Sequence, residues 1–258
     1  MNYNYHTHTF FCGHADGMCE DYIKRAIDCG IKNMGFSEHI PFAFPDGYES
    51  FYRLRLSETE DYFSILKELR EKYKEKINIK IGFEMEYYPK YFDEMLLSAK
   101  RYGAEYLILG QHFIKQQAEN HDGLYVLKNN DSYEDLSEYV NCVVSAIKTG
   151  VFSYVAHPDI FTYTGDVKSY DEQMAKICVA SREHNIPVEI NFLGIREKRT
   201  YPDNRFWELA GREKCPVTFG CDAHNIKSAY DDSSLETAKH LVKKFNLHYI
   251  GEPEIITL

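Results

Sequence analysis

Short apolar runs, several alternating with polar residues, recur along this chain, and most are followed by a longer segment of helical periodicity. "NYNYHTH" reads as a first strand. Residues 18–30 repeat apolar side chains at helical spacing, with Ile23, Ala26 and Ile27 on one face and Gly30 as the stop. "KNMGFSEH" is a second strand. "SETEDYFSILKELREKYKEK" is an amphipathic helix, with Ser57 and Glu60 as a capping box and Phe63, Leu66, Leu69 and Tyr73 as its stripe. "INIKIGFEMEY" alternates as a third strand should. A helix near 90–102 leads to "EYLILGQHF", and the helical "SYEDLSEYVNCVVSAIKTG" leads to "FSYVAHPD". Helices over 170–184 and 203–213 lead to "IPVEINF" and "CPVTFGCDAH", and a last helix over 228–245 precedes the tail "HYIGEPEIITL".

Seven strand-then-helix units with no Pro/Ser-rich linker between them predict an α/β parallel barrel, strands inside and helices outside. An open doubly wound sheet is the alternative. The phosphate-binding fingerprints usual for that layout, G-x-G-x-x-G and G-x-x-x-x-G-K-[ST], are absent after the first strand.

Composition narrows the function. At 44% apolar and 15% aromatic residues, the 258-residue chain can bury a substantial core. A net charge of −10 and the lack of a basic stripe exclude a groove for long nucleic acid. A small anionic substrate stays compatible, because bound cations reverse the field locally. The seven cysteines are odd in number and form no C-x-x-C, the start is polar, and no run approaches the ~20 apolar residues that cross a bilayer. These features predict reduced thiols in a cytoplasmic protein without a membrane segment. Cys12 and Cys221, beside motifs discussed below, read as small buried fillers. Nothing in the pattern assigns an oligomeric state.

The chemistry lies at the strand ends. His6 and His8 end the first strand, His39 the second, Glu84 and Glu86 the third, His112 the fourth, His157 the fifth, and Asp222 and His224 the seventh. The carboxyl ends of barrel strands converge on one face, where catalytic residues gather. Residues two apart on a strand share a side, so His6 with His8, and Asp222 with His224, can aim inward together. Imidazole mixed with carboxylate suits zinc, manganese or iron. With His14, seven histidines and two acids exceed one ion's coordination, and the set implies two or three metals. By parity both Glu84 and Glu86 can face inward. One would bridge metals, and the other would hydrogen-bond a ligand histidine or face solvent, as Glu38 and Asp159 could also do. His121, His184, His240 and His248 fall in loop, helix or tail contexts and read as ordinary polar residues.

In order along the chain, H-T-H, "CGHADG", "GFSEH", "GFEMEY", "GQHF", "AHPD" and "GCDAH" resemble the PHP (polymerase and histidinol phosphatase) superfamily, most closely its histidinol-phosphate phosphatase branch. The match runs from residue 4 to about 225. The resemblance implies a distorted (β/α)7 barrel, TIM-like, spanning residues 1–258 as one phosphoesterase domain with three divalent metal ions. It assigns His6, His8, Glu84 and Asp222 to the first ion, with Glu84 bridging to a second on His112 and His157. It assigns His14, His39 and His224 to the third. The chain departs from the branch in two places. The fourth-strand motif is G-Q-H where many relatives have G-S-x-H, and Phe192 and Leu193 replace small polar residues in "EINFLGIR".

The expected activity is that of a phosphoric monoester hydrolase of histidine biosynthesis, converting L-histidinol phosphate to L-histidinol and phosphate by attack of a metal-bridging hydroxide held through Glu84 and Asp222. Arg196, at the end of the sixth strand, is the expected phosphate clamp, with Arg53 and Arg55 as further candidates. The alternatives are a PHP phosphoesterase acting on another small ester or nucleotide, and a non-catalytic metal-binding domain. A metal-dependent amidohydrolase fits less well, since no lysine ends the fourth strand.

Overall fold

The computed structural model describes residues 1–115, 121 and 123–258. Its main sheet contains β1 (Tyr3–Asn4), β2 (Asn33–His39), β3 (Asn78–Met85) and β4 (Tyr106–Leu109). A two-residue hairpin of β5 (Phe113–Ile114) and β6 (Leu124–Tyr125) follows β4 and stays outside that sheet. The sheet continues with β7 (Phe152–Val155), β8 (Val188–Asn191), β9 (Pro216–Gly220) and β10 (His248–Tyr249). Its order is β1-β2-β3-β4-β7-β8-β9-β10, parallel throughout. The sheet curls until its ends meet. Thr7 bridges to Ala223, with His8 N–H donating to the Ala223 carbonyl at 2.9 Å and Ala223 N–H to that of His6 at 3.2 Å. This is the distorted TIM-like barrel, with an eighth short strand where the sequence reads only as a tail.

The helices are α1 (Cys19–Asp28), α2 (Thr59–Tyr73), α3 (Phe92–Tyr102), α4 (Tyr133–Thr149), α5 (Val167–His184), α6 (Phe192–Arg196), α7 (Asn204–Glu213) and α8 (Asp232–Lys244). Side-chain caps fix several starts. Ser132, Asp166, Asp203 and Asp231 each accept a first-turn N–H of α4, α5, α7 and α8. The predicted Ser57–Glu60 capping box does not form. The chain enters α2 through a 3-10 turn over Leu56–Glu58, and the Thr59 hydroxyl donates to the Arg55 carbonyl instead. Along α2, Phe63 and Leu66 are buried, while Leu69 and Tyr73 pack at the core's edge.

Below the strand ends the barrel is filled by Tyr3, Tyr5, Tyr106, Ile108 and Tyr154. Two strand glycines make this floor possible. A Cβ at Gly35 would lie 2.2 Å from the Tyr106 hydroxyl, and one at Gly82 2.5 Å from its ring. The accommodated hydroxyl donates to the Tyr5 carbonyl at 2.8 Å, so a buried polar group is satisfied directly under the histidines.

Candidate metal centre

Register carries the predicted residues to one point. The parallel pairing of β2 with β3 sets His39 opposite Glu84, and that of β3 with β4 sets Glu84 opposite Ile108. The Thr7–Ala223 closure brings His6 and His8 alongside Asp222 and His224. Glu84 lies at the hub. Its Oε2 is 3.4 Å from His6 Nε2, 3.2 Å from His8 Nε2 and 3.2 Å from His39 Nδ1. Its Oε1 is 2.9 Å from His157 Nε2 and 3.6 Å from His112 Nε2. Asp222 Oδ1 lies 3.5 Å from His6 Nε2, 3.6 Å from His8 Nε2 and 3.2 Å from His224 Nδ1. Only a glycine at 110 leaves room for this hub, since a Cβ there would sit 1.8 Å from Glu84 Oε1.

His14 arrives on the loop after β1. Its Nε2 is 3.1 Å from His224 Nε2, and its ring stacks 5.5 Å from that of His39. The buried Cys12 thiol, directed at the Thr9 carbonyl, lies close enough to His14 and His224 to count among possible ligand atoms. His157 and Asp222 both adopt left-handed backbone, with φ of 31° and 45°. L residues seldom hold that conformation, and it concentrates at functional sites.

Electrostatics keep both acids ionised. Burial pushes Glu84 and Asp222 toward the neutral form, but the surrounding imidazoles outweigh it and hold both well below the carboxylate range. Burial opposes charge on His6 too, yet Asp222, Glu189 and Glu84 raise it well above an ordinary imidazole. His14 goes the other way. Burial, then the neighbouring His224 and His8, lower it to about 4.

A metal fits this donor set. His6 Nε2, His8 Nε2, His39 Nδ1, Glu84 Oε2 and Asp222 Oδ1 are all buried without a hydrogen-bond partner among the described residues, and each lies within 3.5 Å of another atom of the set. Buried polar atoms are normally satisfied. Several orphans facing one point are what a cation would resolve.

A collar of acids surrounds these side chains. Glu86 Oε1 lies 3.2 Å from His112 Nδ1, and Glu38 Oε2 lies 3.6 Å from His8 Nδ1 while its Oε1 accepts from Thr9. Glu189, which the sequence reading overlooked, lies 2.9 Å from His6 Nδ1. Its signal was available: it lies on β8 two positions before the strand's last residue, Asn191, and so shares that residue's side of the sheet. Asp159 instead accepts the Asp203 N–H and pairs with no histidine among the described residues.

The centre floors a cavity of about 540 Å³. One wall is aromatic, with Tyr52, Phe113 and Tyr125 in series at ring spacings of 5.1 and 5.2 Å. Another carries Glu197, Arg199 and Tyr201, and Lys128 stands at the rim with no ion pair among the described residues. Arg196 is not in this cavity. Asn191 caps α6, and that turn directs Arg196 behind the centre, where it donates to the carbonyls of Cys221 (3.3 Å) and Asp222 (3.1 Å) and faces Asp231 in a separate cleft. Arg199, three residues on, is the guanidinium that reaches the cavity. Arg53 is 2% exposed and pairs with Glu86 at 2.8 Å, buttressing the collar. Arg55, at the entry to α2, does not line the cavity.

Comparison with known proteins agrees with the geometry. The PHP domain family model matches residues 4–192. Similar curated proteins include the histidinol-phosphatase of Bacillus subtilis (strain 168), 26% identical over 85% of this chain and 92% of that one. The histidinol-phosphatase of Lactococcus lactis subsp. lactis (strain IL1403) is 27% identical over 96% and 93%. A solved histidinol phosphate phosphatase from Lactococcus lactis subsp. lactis, in complex with zinc, L-histidinol and phosphate, shares the fold with a TM-score of 0.71, 23% identity and coverage of 96% and 95%. Among the described residues no helix is long and apolar enough to cross a membrane.

Proposed function

The chain belongs to the PHP domain family, and from that premise we propose that it is a metal-dependent phosphatase converting L-histidinol phosphate to L-histidinol and phosphate, with residues 1–258 acting as one catalytic unit. The observation that carries the reading is the convergence of unpartnered nitrogen and oxygen atoms from His6, His8, His39, Glu84 and Asp222 at the floor of a cavity. His6, His8, Glu84 and Asp222 would hold one divalent ion, and Glu84, His112 and His157 a second. His14, His39 and His224 would hold a third, with zinc, manganese and iron all suited to these donors.

Charge supports three ions and a phosphate ester. Glu38, Glu84, Glu86, Glu189 and Asp222 are buried, and Arg53 is the one buried arginine or lysine among the described residues. With the ligand imidazoles neutral once metal is bound, those five carboxylates and one guanidinium leave four negative charges. Two divalent ions balance them, and a third leaves two positive charges, which match a phosphate dianion. The relatives named histidinol-phosphatase support the choice of ester.

Bound divalent ions lower the pKa of water from about 15.7 toward about 7 and neutralise phosphoryl oxygens. The protein's own groups do the rest. Glu84 spans the two halves of the centre and fixes their separation. Arg199 and Lys128 offer cations to the phosphate from the wall and rim, in the role first expected of Arg196. The Tyr52–Phe113–Tyr125 wall offers ring faces to an imidazole-bearing leaving group. The seven free thiols fit a reducing, cytoplasmic setting.

The test is a panel of L-histidinol phosphate, sugar phosphates and nucleotides assayed for phosphate release with and without chelator. Preference for L-histidinol phosphate, abolished by chelator, is expected. Equal or better turnover of another ester would displace it as the substrate.

A further inference from the structure

One strand end touches three of the candidate ligands at once. Glu189, fully buried on β8, has Oε1 2.9 Å and Oε2 3.2 Å from His6 Nδ1. Its Oε2 also accepts the backbone N–H of His157 at 3.2 Å and the side-chain amide of Asn191 at 2.8 Å. That Asn191 amide donates again, to Asp222 Oδ2 at 3.0 Å, while its own Oδ1 accepts the Gly194 N–H in the first turn of α6. Every hydrogen-bonding position of the Asn191 side chain facing the centre is therefore spoken for, and its orientation is fixed by its neighbours. The arrangement depends on a missing side chain across the β8–β9 pair: a Cβ on Gly220 would fall 1.7 Å from Glu189 Oε1.

These contacts leave specific atoms free. With His6 Nδ1 engaged by Glu189, Nε2 is the nitrogen without a hydrogen-bond partner among the described residues. With Asp222 Oδ2 engaged by Asn191, Oδ1 is the oxygen without one. We propose that Glu189 and Asn191 form a positioning pair that selects the metal-facing atom of His6 and of Asp222 together. A carboxylate at 189 accepts from three donors. A glutamine there has one oxygen, and its NH₂ would confront at least one N–H. The amide at 191 is equally specific, because it supplies two N–H groups between two carboxylates. Aspartate there supplies none and adds a third negative charge. Groups that orient metal-binding histidines and carboxylates in this way typically contribute about 10–100-fold in affinity.

The inference rests on the metal-centre reading above, and its test is read without turnover. Chelator-stripped wild type, E189Q and N191D are titrated with zinc against a competing chromophoric chelator, with thermal melts to confirm folding and N191A in reserve if N191D does not fold. Affinity for the tightest-bound zinc is expected to fall about 10–100-fold in each variant. The double variant should lose less than the product of the two single losses, because the residues share one hydrogen bond. The His6 Nδ1–H resonance, identified by its loss in H6N, should move in E189Q. Folded variants with wild-type zinc affinity and an unmoved resonance would overturn the proposal, as would purely multiplicative losses. Phosphate release from L-histidinol phosphate is measured separately on wild type. Intact zinc binding with no release would sink the assigned reaction while leaving the positioning pair to be judged by the affinities.

Discussion

Replacing Gly110 with alanine adds one methyl group at the hub of the site. Gly110 is not among the residues with positive φ, so alanine suits its backbone and the perturbation is confined to space. The new Cβ would lie 1.8 Å from Glu84 Oε1, 2.5 Å from Cδ and 2.7 Å from Cγ. Relaxed nonbonded contacts to carbon sit near 3.5–4.0 Å, so the carboxylate must retreat by about 1 Å or more. It has nowhere to go without breaking its approaches to His157, His8, His39 and His6, all within 3.4 Å. Overpacking of this kind costs about 1–3 kcal/mol, which a barrel of this size survives. A displacement of about 1 Å at reacting groups costs about 10²-fold in rate. G110A should therefore melt cooperatively a few degrees lower, retain less metal after reconstitution and dialysis, and turn over about 10²-fold more slowly. Metal is counted by plasma mass spectrometry and turnover by phosphate release. Full metal content with turnover within about twofold of wild type would show that Glu84 is not the shared ligand.

Three further outcomes follow from the same geometry. R199A should raise KM for the ester about 10–100-fold, the equivalent of about 1.5–3 kcal/mol for a lost charged hydrogen bond, with metal content intact; R196A should instead loosen the Cys221–Asp222 turn and lower metal content, and the reverse pattern would restore Arg196 as the clamp. R53M strips the buried partner from Glu86 and should cost about 3–5 kcal/mol in denaturant unfolding; a loss under about 1 kcal/mol would mean that Glu86 is not held by that pair. Zinc affinity by chelator competition should weaken between pH 8 and pH 6, because protons compete for imidazole nitrogen; a flat profile would point to carboxylate ligation alone.

Much of this was legible in the sequence because it depends on periodicity. Strand ends marked by His39, Glu84, His112, His157 and Asp222 follow from alternation and turn signals, and a barrel brings such ends together whatever the loops do. Arg196 shows where that reasoning stops. Counted along an extended strand it belongs at the centre, but Asn191 caps a five-residue helix at Phe192, and the change of backbone turns Arg196 behind Asp222 and admits Arg199. Arg53 could be read as a clamp because its partner, Glu86, lies 33 residues away and burial has no local signature. The two-residue strands β5, β6 and β10 are too short to show a period. The Ser57–Glu60 pair has the spacing of a capping box, yet the chain satisfies the start of α2 with a 3-10 turn.

The most direct measurement is a stepwise titration of chelator-stripped protein with zinc, following bound zinc and phosphate release from L-histidinol phosphate in the same samples. Binding that saturates near three equivalents, with release appearing as the shared Glu84 sites fill, is expected. Saturation at one equivalent, or release that is indifferent to zinc, would contradict a multinuclear phosphatase centre.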